Sequence, residues 1–258
     1  MKDTDRIPSM NLTGRVALVT GATKGLGYGM VMGLAQAGAD IIVVSRTSAD
    51  CVKVAKELEA MGRKALPISA DVSTVSGIEK LVSHSVNQMG KIDILVNNAG
   101  IGITRKAVDV TEEEWDATIN LNLKGVFFVC QAVGKHMIEN NNGSIINISS
   151  AAALKQDINL SPYYTSKAGV VQLSKVLALE WARYNLRVNC VCPGYVLTSL
   201  NEKEFSDVRI LERFVKTIPL RRLGTVGEIA GIVVYLASDA SRYVTGGVFS
   251  ADGGLTLN

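Results

Sequence analysis

Short runs of β-branched and aliphatic residues alternate along this chain with longer stretches of helical composition. The first run, Val16-Ala17-Leu18-Val19-Thr20, is too short for a buried helix and apolar at successive positions, which predicts a strand covered on both faces. It ends in Gly21-Ala22-Thr23-Lys24-Gly25-Leu26-Gly27, after which residues 28–38 read as a helix. Further strands are expected over residues 41–44, 64–72, 92–96, 144–149 and 187–192, with a seventh beginning at Gly247. Between them helices are expected over residues 48–62, with Ser48 as the cap, and over 73–90, 111–139, 161–184 and 225–238. Thr111 caps the helix over 111–139 ahead of Glu112, Glu113 and Glu114, and Ser161-Pro162 opens that over 161–184 with proline where its missing N–H does no harm. This alternation predicts a single α/β domain, a doubly wound parallel sheet of about seven strands with helices on both faces.

Composition narrows the possibilities. The 258 residues are 47% apolar and 20% charged, with a net charge of +3 and no repeat of 20 to 50 residues, as suits one globular domain that needs no covalent staple. The basic residues are scattered, so no nucleic-acid footprint is expected. Residues 1–11 carry Lys2, Asp3, Asp5 and Arg6 without an apolar core and read as a loose tail, neither signal nor anchor; the folded domain is placed at residues 12–258. The most apolar later helix is broken by Gln172, Ser174, Lys175 and Glu180, so no membrane association is expected. Cys51, Cys130, Cys190 and Cys192 form no C-x-x-C pair and the histidines are His84 and His136 alone. That pattern predicts free thiols, no metal site and a reducing, cytoplasmic setting.

Candidate chemistry gathers at the strand ends. The N–H groups in a helix's first turn lack partners and carry the positive end of its dipole, so the loop at Gly21, Gly25 and Gly27 predicts a site for a dinucleotide pyrophosphate. The spacing G-x-x-x-G-x-G departs from G-x-G-x-x-G. An acid about twenty residues further on would hold the adenosine ribose and repel a 2′-phosphate, but the second strand closes on Ser45-Arg46. With Lys24 in the loop and Arg46 opposite, NADP is predicted over NAD. Asp71, Asn98 and Gly100 fall where ligands of such sheets lie. Asn120 and Asn122 stand mid-helix, where asparagine competes with the backbone, and one of them invites a functional explanation. Tyr163 and Lys167, four residues apart, share a helix face.

Taken together, Thr20-Gly21-x-x-x-Gly25-x-Gly27, Asp71, Asn97-Asn98-Ala99-Gly100, Asn122, Ser150, Tyr163, Lys167 and Pro193-Gly194 resemble the short-chain dehydrogenase/reductase family, and the resemblance spans Leu12 to Gly254. It implies a Rossmann-type domain and an enzyme that moves a hydride between a nicotinamide and a carbonyl or secondary alcohol. Tyr163 would be the proton donor in ketone reduction, and Lys167 would hold the nicotinamide ribose. Ser150, preferred to Ser149 on spacing, would hydrogen-bond the substrate oxygen, and Asn122 would hold a water linking Lys167 to solvent. Bringing a phenol of pKa about 10 near neutrality costs about 4 kcal/mol, and an ammonium about 4 Å away supplies about that much.

The resemblance further places the coenzyme against Gly21, Thr23, Lys24, Gly25, Leu26, Gly27, Ser45, Arg46, Asp71, Val72, Asn98, Ala99, Gly100, Tyr163, Lys167, Pro193, Gly194, Val196 and Thr198. The substrate would meet Ser150, Ala152, Tyr163 and Tyr195 under a mobile lid at residues 196–222 that contains a short amphipathic helix. Arg105 and Lys155, with Gln156 and Asn159, would suit a hydroxylated or carboxylated compound. Members acting on gluconate or 2-deoxygluconate look most similar, with 3-oxoacyl-carrier-protein reductases close behind. A homotetramer is the family expectation. The reading from a different class is a catalytically idle NADP-binding regulator.

Overall fold

The computed structural model describes residues 7–199 and 201–257. Of the tail expected over residues 1–11, Met1 to Arg6 lie outside the described residues, and Ile7 to Asn11 form neither helix nor strand. Leu12 is the first residue driven into the core.

Seven strands form one parallel sheet: β1 (Val16–Thr20), β2 (Asp40–Ser45), β3 (Ala65–Ser69), β4 (Ile94–Asn97), β5 (Gly143–Ile148), β6 (Leu186–Pro193) and β7 (Val248–Ala251), in the order β3-β2-β1-β4-β5-β6-β7. The order reverses beside β1, so a crevice opens between the ends of β1 and β4, where ligands of open parallel sheets lie. All five residues of β1 are buried, as are the four of β4 and the six of β5. Their side chains on one face join an apolar layer with α1 (Gly25–Gln36) and α9 (Val226–Ala237). Those on the other join a layer with α3 (Val75–Met89), α5 (Val126–Glu139) and α6 (Ser161–Trp181). A sheet apolar on both faces is thus covered on both, as its unbroken apolar strands predict.

Differences from the pattern-based expectation are local. Helix α1 starts at Gly25, inside the glycine loop, so two of the three glycines belong to its first turn. Helix α2 (Ser48–Ala60) is preceded by Thr47, and Ser48 is its first residue rather than its cap. Strand β3 stops at Ser69, leaving Asp71 and Val72 in the following loop. The helix expected over residues 111–139 is α4 (Glu112–Ile119), a π-helical segment Asn120–Gly125, and α5. Wider hydrogen-bonded turns inside a helix often mark functional sites, and Asn122 sits in the middle of this one. Helix α6 ends at Trp181 and a 3-10 turn continues to Tyr184. Trp181 caps the gap over Gly134, where an added Cβ would lie 2.9 Å from the indole ring. Two helices, α7 (Glu202–Phe205) and α8 (Val208–Thr217), stand in the segment expected to form the lid.

The lower rim of the sheet is tied by Asp93. Its carboxylate accepts the Val16 N–H at 2.8 Å, is met by Lys91 at 3.0 Å and Arg15 at 3.8 Å, and is nearly buried. Asp93→Ala would leave the first N–H of β1 without its acceptor, and about 1–3 kcal/mol of stability should be lost. Denaturant unfolding checks this; an unchanged midpoint would show that the rim is held by main-chain pairing alone.

Candidate active site

At the upper end of β1 the chain makes an abrupt turn. Gly21 takes φ +63, a left-handed value open to glycine, and a Cβ on Gly27 would lie 2.0 Å from the Gly21 carbonyl oxygen. A Cβ on Gly21 would lie 2.9 Å from the Asn98 side-chain amide, so both glycines let the loop close tightly over the first turn of α1, whose N–H groups are unpartnered within the helix. The loop is braced from behind by β4. Asn98 donates its side-chain amide to the carbonyls of Thr20 and Gly21, both at 3.1 Å. The Thr20 hydroxyl accepts the N–H groups of Asn98 and Ala99 at 3.0 and 3.1 Å. Asn98, expected to meet the coenzyme, therefore shapes with its side-chain amide the loop that would hold it. The sequence showed Thr20 as the opening of the glycine motif but not this role, because its service is rendered by one oxygen to another segment's backbone.

From this loop a cleft of about 670 Å³ runs across the carboxyl edge of the sheet, within the usual range for ligand sites. Thr23, Lys24, Ser45, Arg46, Asp71 and Val72 line one end, and Tyr163, Lys167, Gly194, Tyr195, Val196 and Thr198 line the other, with Asn98, Ala99 and Gly100 between. A cleft that joins a phosphate cradle to a tyrosine and a lysine fits a nicotinamide dinucleotide. Gly25 is buried beneath the cradle, and Pro193 is the buried last residue of β6. Gly194 follows where a Cβ would lie 2.7 Å from the Cα of Asp252.

At the end of the cleft expected to take the adenosine, Lys24, Ser45 and Asp71 have partners already. Lys24 Nζ lies 3.2 Å from the carboxylate of Asp50, an acid on the first turn of α2 that the sequence reading passed over. Arg46 is exposed on the same cleft wall. Ser45 Oγ accepts the Thr47 N–H at 3.2 Å, closing the turn rather than facing outward. Asp71 accepts the Ser73 N–H at 2.9 Å and hydroxyl at 2.7 Å, and these bonds hold its carboxyl below the usual range.

At the other end, Lys167 is buried with its ammonium 3.0 Å from the Ile148 carbonyl oxygen and 5.8 Å from the centre of the Tyr163 ring. Burial brings its pKa down to about 8, against which the neighbouring thiols Cys190 and Cys192 on β6 act to raise it. Burial also raises the Tyr163 phenol, and a hydrogen bond with Ser150 only partly offsets this. This corrects the expectation of a phenol made acidic by its lysine. The ammonium lies over the ring, and desolvation of the phenolate sets the direction of the shift. Ser150 Oγ also accepts the Ala152 N–H at 3.1 Å, and so anchors the 3-10 turn Ala151–Ala153.

Asn122 is completely buried. Its Oδ1 accepts the Ile101 N–H at 2.9 Å, and its Nδ2 donates to the Ile101 carbonyl at 2.8 Å and the Ser166 hydroxyl at 3.1 Å. Both amide hydrogens are used, so a water at this residue would be met by its main chain. Thr198 is held by Asn201, whose Oδ1 accepts the Thr198 N–H at 2.8 Å and whose Nδ2 donates to the Val196 carbonyl at 2.9 Å. Asn201 lines the cleft and was not singled out in the sequence, where it reads as one polar residue in a charged loop.

Toward the lid, Tyr195 meets Phe214 of α8 edge to face at 4.7 Å, and Phe214 meets Phe205 at 5.3 Å. The segment is thus packed against the cleft by its aromatic residues. The cations expected to serve substrate are otherwise engaged: Arg105 is bridged to Glu114, and Lys155 donates to the Leu255 carbonyl at 3.1 Å. Gln156 is exposed, and Asn159 takes φ +66 while its carbonyl accepts the Arg105 N–H at 2.7 Å. Cys51, Cys130, Cys190 and Cys192 are all buried and free of disulfides. Among the described residues no cluster of histidine, cysteine and acid side chains suits a metal, and no helix is long and apolar enough to cross a membrane.

Residues 15–209 match the short chain dehydrogenase family. The chain is 39% identical to the 2-dehydro-3-deoxy-D-gluconate 5-dehydrogenase of Escherichia coli K12, over 96% of this chain and 98% of that one. It is 42% identical to the 3-oxoacyl-acyl-carrier-protein reductase of Thermotoga maritima, over 96% and 100%. The crystal structure of a gluconate 5-dehydrogenase from Burkholderia cenocepacia J2315 in complex with NADP and tartrate superposes with a TM-score of 0.93 at 36% identity, covering 98% of this chain and 99% of that one. The protein therefore belongs to the short-chain dehydrogenase family, as an oxidoreductase acting on CH–OH groups.

Proposed function

We propose that the chain is an NADP(H)-dependent dehydrogenase that interconverts a carbonyl and a secondary alcohol on a sugar acid or polyol. The observation that carries this reading is the single cleft that joins the glycine cradle to Tyr163 and Lys167. Bound there, the coenzyme supplies or accepts the hydride; the chain's own residues provide position, charge and the proton. Tyr163 gives its proton to the carbonyl oxygen during reduction. Its raised pKa suits a donor that must stay protonated until charge develops on the substrate. Ser150 donates a second hydrogen bond to that oxygen, and Lys167 holds the ribose hydroxyls. The coenzyme contacts proposed at the other cleft-lining residues follow the same placement, with Val196 and Thr198 beside the carboxamide. Ala152 and Tyr195 border the substrate. The substrate class rests on the names of the sugar-acid dehydrogenases above, because Arg105 and Lys155 are held by protein groups.

The preference for NADP is supported by the absence of an acid at the end of β2 and by Arg46 on the cleft wall. A 2′-phosphate would draw Lys24 from Asp50. Assembly as a homotetramer is the family expectation, and the exposed Leu179 and Val176 on α6 are apolar side chains that such an interface would cover.

Against a panel of ketogluconates, diketones and acetoacetyl thioesters, NADPH should be consumed with a ketogluconate in preference. Tyr163→Phe should abolish that turnover while retaining NADPH binding. Consumption with none of them would favour the non-catalytic binder, and substantial activity in Tyr163→Phe would remove the tyrosine from its role. Comparison of kcat/KM should favour NADPH over NADH in the wild type, and Arg46→Ala should narrow the ratio by about ten- to a hundredfold, the worth of a charge-assisted hydrogen bond. A wild-type preference for NADH refutes the cofactor assignment.

The pH profile follows from Lys167. Its pKa of about 8 makes it an ammonium below that pH and a neutral amine above. Because kcat/KM for NADPH reports the free enzyme, it should be level below about pH 8 and fall above it. The Tyr163 phenol, raised rather than lowered, stays protonated through this range. Lys167→Met should remove the limb along with most of the activity; a limb that persists belongs to another group.

A further inference from the structure

Ser149 stands next to the proposed catalytic serine, and its hydroxyl has no part in the chemistry above. It is 4% exposed. Its Oγ donates to the main-chain carbonyl of Lys167 at 2.7 Å, and its N–H donates to the Val191 carbonyl of β6 at 2.8 Å. The residue before it, Ile148, accepts the Lys167 ammonium at 3.0 Å. Lys167 is thus gripped at both ends by consecutive residues at the tip of one strand, its carbonyl by a hydroxyl and its ammonium by a carbonyl.

A second grip lies two helical turns along α6. Asn147 Nδ2 donates to Ser174 Oγ at 2.9 Å, and that hydroxyl donates to the Val170 carbonyl at 2.7 Å. Asn147 Oδ1 accepts the side-chain amide of Asn97 at 2.9 Å, and Asn97 is its register partner across β4 and β5. Asn97, Asn147 and Ser174 are at most 2% exposed, and among the described residues no buried side-chain nitrogen or oxygen lacks a partner. An apolar seam between β5 and α6 would tolerate a sliding helix. A satisfied polar one fixes a single register, because any shift leaves buried donors unpaired.

We propose that Ser149 is a positioning residue: its hydroxyl, backed by the link from Asn147 to Ser174, sets the depth of Lys167 on the strand tip and so the separation of its ammonium from the Tyr163 phenol. This rests on the roles proposed for Tyr163 and Lys167. Ser149 borders the cleft, but in this role its hydroxyl acts through the lysine's backbone.

The test compares Ser149→Ala with Ser149→Thr, which keeps the hydroxyl, and with Ser174→Ala, which loosens the second grip and serves if Ser149→Ala does not fold. Ser149→Ala should lower kcat by about ten- to a hundredfold, the usual penalty for a small misplacement of a reacting group. Its dissociation constant for NADPH should stay within about twofold of wild type, and Ser149→Thr should recover most of the rate. Ser174→Ala should lose about threefold or more on the same grounds. A wild-type kcat in Ser149→Ala, or equal losses in the alanine and threonine variants, overturns the proposal. A readout independent of turnover follows Lys167 by nuclear magnetic resonance in protein carrying carbon-labelled lysine. Its titration midpoint should move in Ser149→Ala and stay in Ser149→Thr. A midpoint that stays in both overturns the proposal, whereas a wild type that turns over nothing while the midpoint moves counts against the proposed reaction alone.

Discussion

A primary amine buried beside a phenol is the constraint on which the rest of this structure depends. Water would solvate the Lys167 ammonium far better than a protein interior does, and a buried cation without partners is strongly unfavourable. The fold offers it one carbonyl at the tip of β5, and the amine keeps a lowered pKa. Perturbed titration of this kind, in a cleft, is what distinguishes a working group from a surface charge. The phenol opposite is raised by the same burial, so the pair is poised with both protons in place.

What brings this pair to a coenzyme is the parallel sheet. Because β1, β4, β5 and β6 all run the same way, their carboxyl ends deliver the glycine cradle, Asn98, Ser149 and Gly194 to one edge. Polar side chains near that edge are spent on the backbone as often as on the cleft: Thr20 and Asn98 tie β1 to β4, Asn122 fastens Ile101, and Asn201 pins Thr198. Rigid support of this sort keeps reacting groups within the narrow tolerances that hydride transfer demands.

Much of this was legible in the sequence, for identifiable reasons. Seven strands and their order of appearance follow from apolar runs such as Val16–Thr20, because a strand buried on both faces leaves an unmistakable unbroken pattern. The cradle was legible from glycine, and the pair Tyr163 and Lys167 from helical spacing. The π-helical turn at Asn120–Gly125 was legible only as a strain, two asparagines where a helix would not choose them. Partners that only the fold brings together left no trace. Lys24 with Asp50, Arg105 with Glu114, and Lys155 with the carbonyl of Leu255 each turn a cation that looked available into one already engaged. The direction of the Tyr163 shift was misjudged for a related reason: spacing places a lysine on the same helix face but says nothing of how much water the fold removes.

The geometry of this pair is open to direct test in a crystal structure with NADP bound. The Lys167 ammonium should lie within hydrogen-bonding distance of the nicotinamide ribose hydroxyls and the Tyr163 hydroxyl should face the reactive ring carbon, with Ser150 beside it. A tyrosine hydroxyl turned away from that carbon, or walled off from any approaching carbonyl compound, would contradict that geometry.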